Sequence, residues 1–183
     1  MTRCAYHRIL GLVVLLLTIV VPSASQAQDG LFSKGRMNVS LGAGGGSGTF
    51  TVAGNFGYFV MDGLRPGIAT RYTYQKQSAY STDEVEGELS LRYYLMDADP
   101  IAPFVVVDTT VVHLSYSGSF DEQYTYFGVG AGAGLFVRMA QSLGIEIVAG
   151  AVHYLGVNSV LTQSGAVPEG IAFRWNVGLA LFF

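Results

Sequence analysis

Phe173-Arg174-Trp175-Asn176-Val177-Gly178-Leu179-Ala180-Leu181-Phe182-Phe183, the last stretch of the chain, decides the fold. Read at period two, Phe173, Trp175, Val177, Leu179, Leu181 and Phe183 share one face, and Arg174, Asn176, Gly178, Ala180 and Phe182 share the other. Successive side chains of a strand point to opposite faces, so this segment is greasy on one side and small and polar on the other. In a soluble sandwich the greasy face points into a core. Here the opposite face joins an arginine to small residues, which suits a narrow enclosed lumen, and the greasy face is continuous enough to meet lipid.

The pattern recurs back along the chain. Strands are expected over about 35–43, 49–61, 64–75, 84–95, 102–116, 123–139, 143–155 and 173–183, with almost no helical periodicity. The fourth is the plainest, setting Val85, Gly87, Leu89, Leu91, Tyr93 and Leu95 against Glu84, Glu86, Glu88, Ser90, Arg92 and Tyr94. In the sixth, Phe127, Val129, Ala131, Ala133, Leu135 and Val137 oppose Gly128, Gly130, Gly132, Gly134 and Arg138. Asp62-Gly63, Asp97 to Pro100 and Ala140-Gln141-Ser142 are tight turns after strands two, four and six. Longer loops are expected after strands three (about 76–83), five (about 117–122) and seven (about 156–169). The glycine run 44–48 is a hairpin tip, because neither a lysine nor a helix follows it to cradle a phosphate.

Composition fits strands better than spanning helices. Charged residues are 13% of the 183 residues, against about 25% in an ordinary soluble domain. The one long apolar run, from Ile9 to Val21, is preceded by Arg3 and Arg8 and followed by Pro22 and Ser23-Ala24-Ser25-Gln26-Ala27. That is the layout of a cleaved signal peptide over residues 1–27, and the run is shorter than the roughly 20 residues of a spanning helix. Residues 28–34 then form a short N-terminal segment ahead of a barrel domain at 35–183. Cys4, the only cysteine, leaves with the signal, which excludes disulfides and thiolate chemistry from the remainder. Loss of Arg3 and Arg8 moves the formal charge from −3 to −5 (−3 − 2), and so acidic a chain does not bind nucleic acid.

With these features in place, the chain resembles the small eight-stranded outer-membrane β-barrels of the OmpA/OmpX type over essentially all of residues 35–183. The resemblance rests on the leader, the alternating strands, the asymmetry of connections and terminal Phe183. It implies an all-β, antiparallel up-and-down transmembrane barrel in the outer membrane of a Gram-negative bacterium. It also implies contact with outer-membrane lipids and lipopolysaccharide, with Phe183 read by the barrel-assembly machinery during biogenesis; a monomer is expected, although no residue pattern specifies the oligomeric state.

The inward parity collects Arg71, Arg92, Arg138 and Arg174 with Glu86, Glu88, Asp108 and Glu146. Eight charges in so narrow a lumen are expected to pair with one another and fill it, leaving no large pore. The histidines raise an alternative, since the resemblance extends to an outer-membrane lipid A deacylase that carries His-x-Ser and a later glutamate. His153-Tyr154-Leu155, with Glu169 beyond, has leucine where the nucleophile is needed; His113-Leu114-Ser115, with Glu122 beyond, lies on the fifth strand. Both histidines take the outward parity, where contact with lipid headgroups is the ordinary role. No catalytic residue, metal site or cofactor is expected, and Asp83, Glu84, Asp121, Glu122 and Glu169 are expected at a solvated outer rim.

Overall fold

The computed structural model describes residues 30–46, 49–76, 80–96, 100–118, 122–155 and 171–183. The expected leader and the connection at 156–169 lie outside them. Eight strands follow in order: β1 (Met37–Gly46), β2 (Thr49–Tyr58), β3 (Leu64–Lys76), β4 (Tyr80–Tyr94), β5 (Ile101–Gly118), β6 (Glu122–Ala140), β7 (Leu143–Leu155) and β8 (Ile171–Phe182). Each pairs antiparallel with its neighbours, and β8 returns to β1, so the sheet is a closed barrel. Closure leaves the sheet without an edge strand and ties the inward parity of all eight strands to one lumen. The β1–β8 ladder is short, running from Asn38↔Phe182 to Gly42↔Gly178, whereas β5–β6 pairs from Ile101↔Val137 to Tyr116↔Glu122.

Three connections differ from expectation. β1 runs through the glycines to Gly46, β4 starts at Tyr80 rather than 84, and the β5–β6 hairpin continues to Gly118 and resumes at Glu122. Ladder hydrogen bonds are made by the backbone, so polar stretches such as Tyr80-Ser81-Thr82-Asp83 extend a hairpin as readily as apolar ones. The tight turn at Asp62-Gly63 is present, with Gly63 at φ 75°, a conformation that favours glycine.

The parity read from β8 holds around the wall. Phe173 is 88% and Trp175 79% exposed, in a belt with Ile68, Leu89, Val107, Phe127 and Ile171. The inside is layered. At the short-turn end Phe59, Tyr94, Phe104, Phe136 and Phe182 are buried together with Leu31 and Phe32, which precede the first strand. Full burial of two such side chains contributes about 1.5–3 kcal/mol each. A band of charges lies above, and Val112, Leu114 and Tyr126 fill the β5–β6 wall beyond, with Tyr116, Tyr124 and Tyr154 packed on them.

Glycine makes this filling possible. A Cβ on Gly134 would stand 2.4 Å from Phe104 Cζ and 2.5 Å from the Ile147 carbonyl; on Gly130 it would meet Asp108 Oδ1 at 2.6 Å. A methyl on Gly144 would meet the Phe136 ring at 2.2 Å, and one on Gly57 would meet Arg65 Cδ at 2.6 Å. Gly87, on the outward parity, has nothing within 4 Å of that position. Gly134→Ala is therefore expected to destabilise the barrel by about 1–3 kcal/mol, and Gly87→Ala to stay within roughly 0.5 kcal/mol of the parent. Guanidinium unfolding of both variants in detergent micelles checks the contrast, and equal midpoints would sink it.

Candidate functional site

The lumen charges form two clusters. In the upper one Arg174, from β8, reaches across the barrel: Nη1 lies 3.3 Å from Glu86 Oε1 and 3.4 Å from Glu88 Oε2, and Nη2 pairs with Asp108 Oδ2. Arg71 Nη1 donates to Glu86 Oε2 at 2.7 Å, and Thr110 Oγ1 donates to Glu86 Oε1 at 2.9 Å. One carboxylate thereby holds groups from β3, β5 and β8. Gly130, beside Asp108, leaves the room its carboxylate occupies.

The lower cluster centres on Glu146 of β7. Arg92 Nη1 donates to Oε2 at 2.8 Å, and the Tyr94 hydroxyl donates to Oε1 at 2.7 Å. Arg65 Nη1 stands 3.5 Å from the same carboxylate and also donates to Asn38 Oδ1. Its side chain is wholly buried, with the guanidinium 5.8 Å from the centre of the Tyr94 ring. Arg92 sits likewise over Phe104, at 5.5 Å. Cations desolvated against aromatic faces are held electrostatically as well as by their carboxylate.

Of the eight lumen charges read from the sequence, seven thus fall in the two clusters. Arg138, the eighth, is half-buried at the end of β6, where its backbone N–H donates to the Pro100 carbonyl at 2.8 Å. Phe183 follows the last strand, partly exposed. Sequence reading missed Arg65, although it shares the parity of Gly67, Ala69 and Arg71; its place beside the Asp62-Gly63 turn hid it. Asn38 and Tyr94 have inward parity too, but neither carries a charge to draw notice. Glu84 keeps the parity of Glu86 and Glu88 on β4 and is half-buried. Asp83 faces outward and accepts from the Tyr72 hydroxyl. Asp121 and Glu169 lie outside the described residues.

Between the clusters is a cavity of about 40 Å³, bordered by Ser40, Asn55, Arg71, Glu88, Glu146 and Asn176. At roughly 10–15 Å³ per water, it admits no more than a few water molecules. Both polar atoms of the Asn55 amide and Arg92 Nε are buried without a hydrogen-bond partner among the described residues.

The histidines stand apart from these clusters. His113 and His153 are exposed on the outward parity. His113 Nδ1 is hydrogen-bonded to Thr125 Oγ1 at 3.0 Å, while Ser115 is flanked in the ladder by Asp83 and Gln123. His153 lies between Val129 and Ile171. Among the described residues, no group of three or more His, Cys, Asp and Glu side chains is placed to hold a metal ion.

Solved structures that this chain resembles include several small outer-membrane β-barrels. The N-terminal β-barrel domain of Pseudomonas aeruginosa OprF aligns with a TM-score of 0.60 at 12% identity, covering 82% of this chain and 98% of that one. Neisserial surface protein A gives 0.56 at 17% identity over 81% and 95%. Ail, the attachment invasion locus protein of Yersinia pestis, gives 0.53 at 10% identity over 82% and 99%. At such identities the likeness is one of fold. No protein-family model and no curated protein sequence matches the chain.

Removing Arg174 would leave Glu86, Glu88 and Asp108 facing one another out of water. Arg174→Ala is expected to cost about 3–5 kcal/mol in denaturant unfolding. Arg174→Lys should recover only part, since a single ammonium does not span three carboxylates. Asp108→Ala added to Arg174→Ala should cost less than the sum of the two single changes. Strict additivity would show that the cluster is not coupled.

Proposed function

We propose that this chain is an exported, integral outer-membrane β-barrel with a structural, membrane-integrity or surface-interaction role and no large pore. The observation that carries the reading is the inversion of its two surfaces. Phe173, Trp175, Ile68, Leu89, Val107 and Phe127 point outward, where water would make them a liability. Arg65, Arg92, Asp108 and Glu146 point inward and are buried. A soluble ligand-binding barrel requires the reverse, and a closed set of backbone ladders is what hydrocarbon demands of a spanning sheet.

The lumen supports the second half of the proposal. Aromatic rings fill its short-turn end, ion pairs bridge its middle, and the cavity between them has only water-sized room. Outer-membrane lipids and lipopolysaccharide are the partners such a wall would meet, with Phe183 recognised by the barrel-assembly machinery and the barrel acting as a monomer. The geometry does not favour lipid A deacylation: the imidazole of His113 engages Thr125, and Leu155 stands where a hydroxyl would be needed beside His153.

Protein refolded with phospholipid is expected to float with the vesicles and to resist carbonate extraction. In planar bilayers it is expected to show no sustained single-channel events. Release by carbonate would overturn the membrane assignment, and large reproducible channels would overturn the filled lumen.

A further inference from the structure

The short-turn mouth of the barrel is closed by residues that belong to no strand. Leu31 and Phe32 turn inward ahead of β1 and are 2% and 4% exposed. The Phe32 ring lies among those that line the mouth. Its centroid is 4.1 Å from Tyr94 in a stacked arrangement, 5.6 Å from Phe136 and Phe182 in edge-on ones, and 5.9 Å from Phe59. No strand supplies a side chain for the space it takes.

The segment is clasped to the rim by a few hydrogen bonds. Gly63 N–H donates to the Phe32 carbonyl at 2.8 Å, and Lys34 N–H donates to Asp62 Oδ1 at 2.8 Å. Gly35 N–H donates to the Phe59 carbonyl at 2.8 Å, and Phe59 N–H donates to the Arg36 carbonyl at 2.9 Å. The first two tie the plug itself to the β2–β3 turn, and the second two carry the chain into β1. Gly30, Lys34 and Gly35 are exposed at that end. A segment held by one turn can leave without breaking a strand ladder, and openings of this kind cost less than unfolding of the wall.

Tyr94 couples the plug to the charges above. Its ring stacks on Phe32 and its hydroxyl donates to Glu146, which holds Arg92 and Arg65. We propose that residues 30–34 act as a removable plug: seated, they seal the polar lumen from the short-turn side; withdrawn, they free Tyr94, loosen the Glu146 cluster and admit water and small ions to the cavity above. This goes beyond the filled-lumen reading, which describes the seated state, and it rests on the barrel spanning a membrane.

The test uses the full chain in a Cys4→Ser background with one added cysteine, Ser40→Cys, at a buried position bordering the cavity, reconstituted into vesicles and recorded in planar bilayers. Two further changes unseat the plug by different routes: Leu31→Ala with Phe32→Ala removes its apolar grip, and Asp62→Ala removes the clasp without touching the aromatic layer. Ser40→Cys with an intact plug is expected to react slowly with a water-soluble maleimide and to stay electrically silent. Either unseating change should raise the labelling rate at least tenfold and produce small, brief channel events. If the double alanine variant fails to float with vesicles, Asp62→Ala decides alone. Floating variants that label and conduct no more than the parent would overturn the plug, and failure of the parent to float would instead sink the membrane reading.

Discussion

Eight strands closed on themselves enclose a space that side chains must fill with almost nothing to spare, and this one constraint orders the molecule. Several large inward groups sit where the neighbouring strand gives way. Phe104 and Asp108 on β5 lie against Gly134 and Gly130 on β6, Phe136 against Gly144 on β7, and Arg65 against Gly57 on β2. Gly130 and Gly134 of β6 are therefore complements of particular side chains on the neighbouring strand, β5. Packing of this kind is unforgiving in both directions, since added volume meets backbone carbonyls as well as rings.

The ion pairs obey the same constraint in electrostatic form. Taking a guanidinium and a carboxylate out of water costs several kcal/mol per ion, and mutual attraction repays it only with good geometry and further hydrogen bonds. Glu86 and Glu146 meet that condition by collecting partners from several strands at once. What the clusters add beyond stability is register. Sliding β8 by one residue would turn Arg174 to the apolar outer face and Trp175 toward Glu86, so wrong pairings of the wall are heavily penalised.

Most of the wall was legible because a sheet with an apolar outer face and a charged lumen keeps strict alternation, and β4, β6 and β8 display it residue by residue. The charged lumen followed from parity alone. Less legible was anything set by three-dimensional neighbours. The hairpin extensions at Tyr80 and Gly118 carry polar residues that read as loop, because nothing in a single strand announces that its partner is equally long. Arg65 escaped because it borders a turn. Leu31 and Phe32 lie before the alternation begins, and their burial depends on a space that Phe59, Phe136 and Phe182 define only once the strands have met. How Arg174 divides itself among three carboxylates is likewise a property of the closed circle.

The closing ladder between β1 and β8 has a mechanical meaning. It stops at Gly42↔Gly178, and among the described residues Ala43–Gly46 and Arg174–Val177 share no ladder across the seam. Elsewhere the wall is hooped by longer ladders, so its stiffness around the circumference is uneven. Stress on such a tube gathers at the clasp, where the fewest backbone bonds resist being parted. Ser40, Gly42, Asn176 and Gly178 flank the clasp, and the same four residues border the internal cavity. The shortest ladder of the wall thus runs beside an internal cavity, and in a bilayer a lateral squeeze or stretch would be taken up there first.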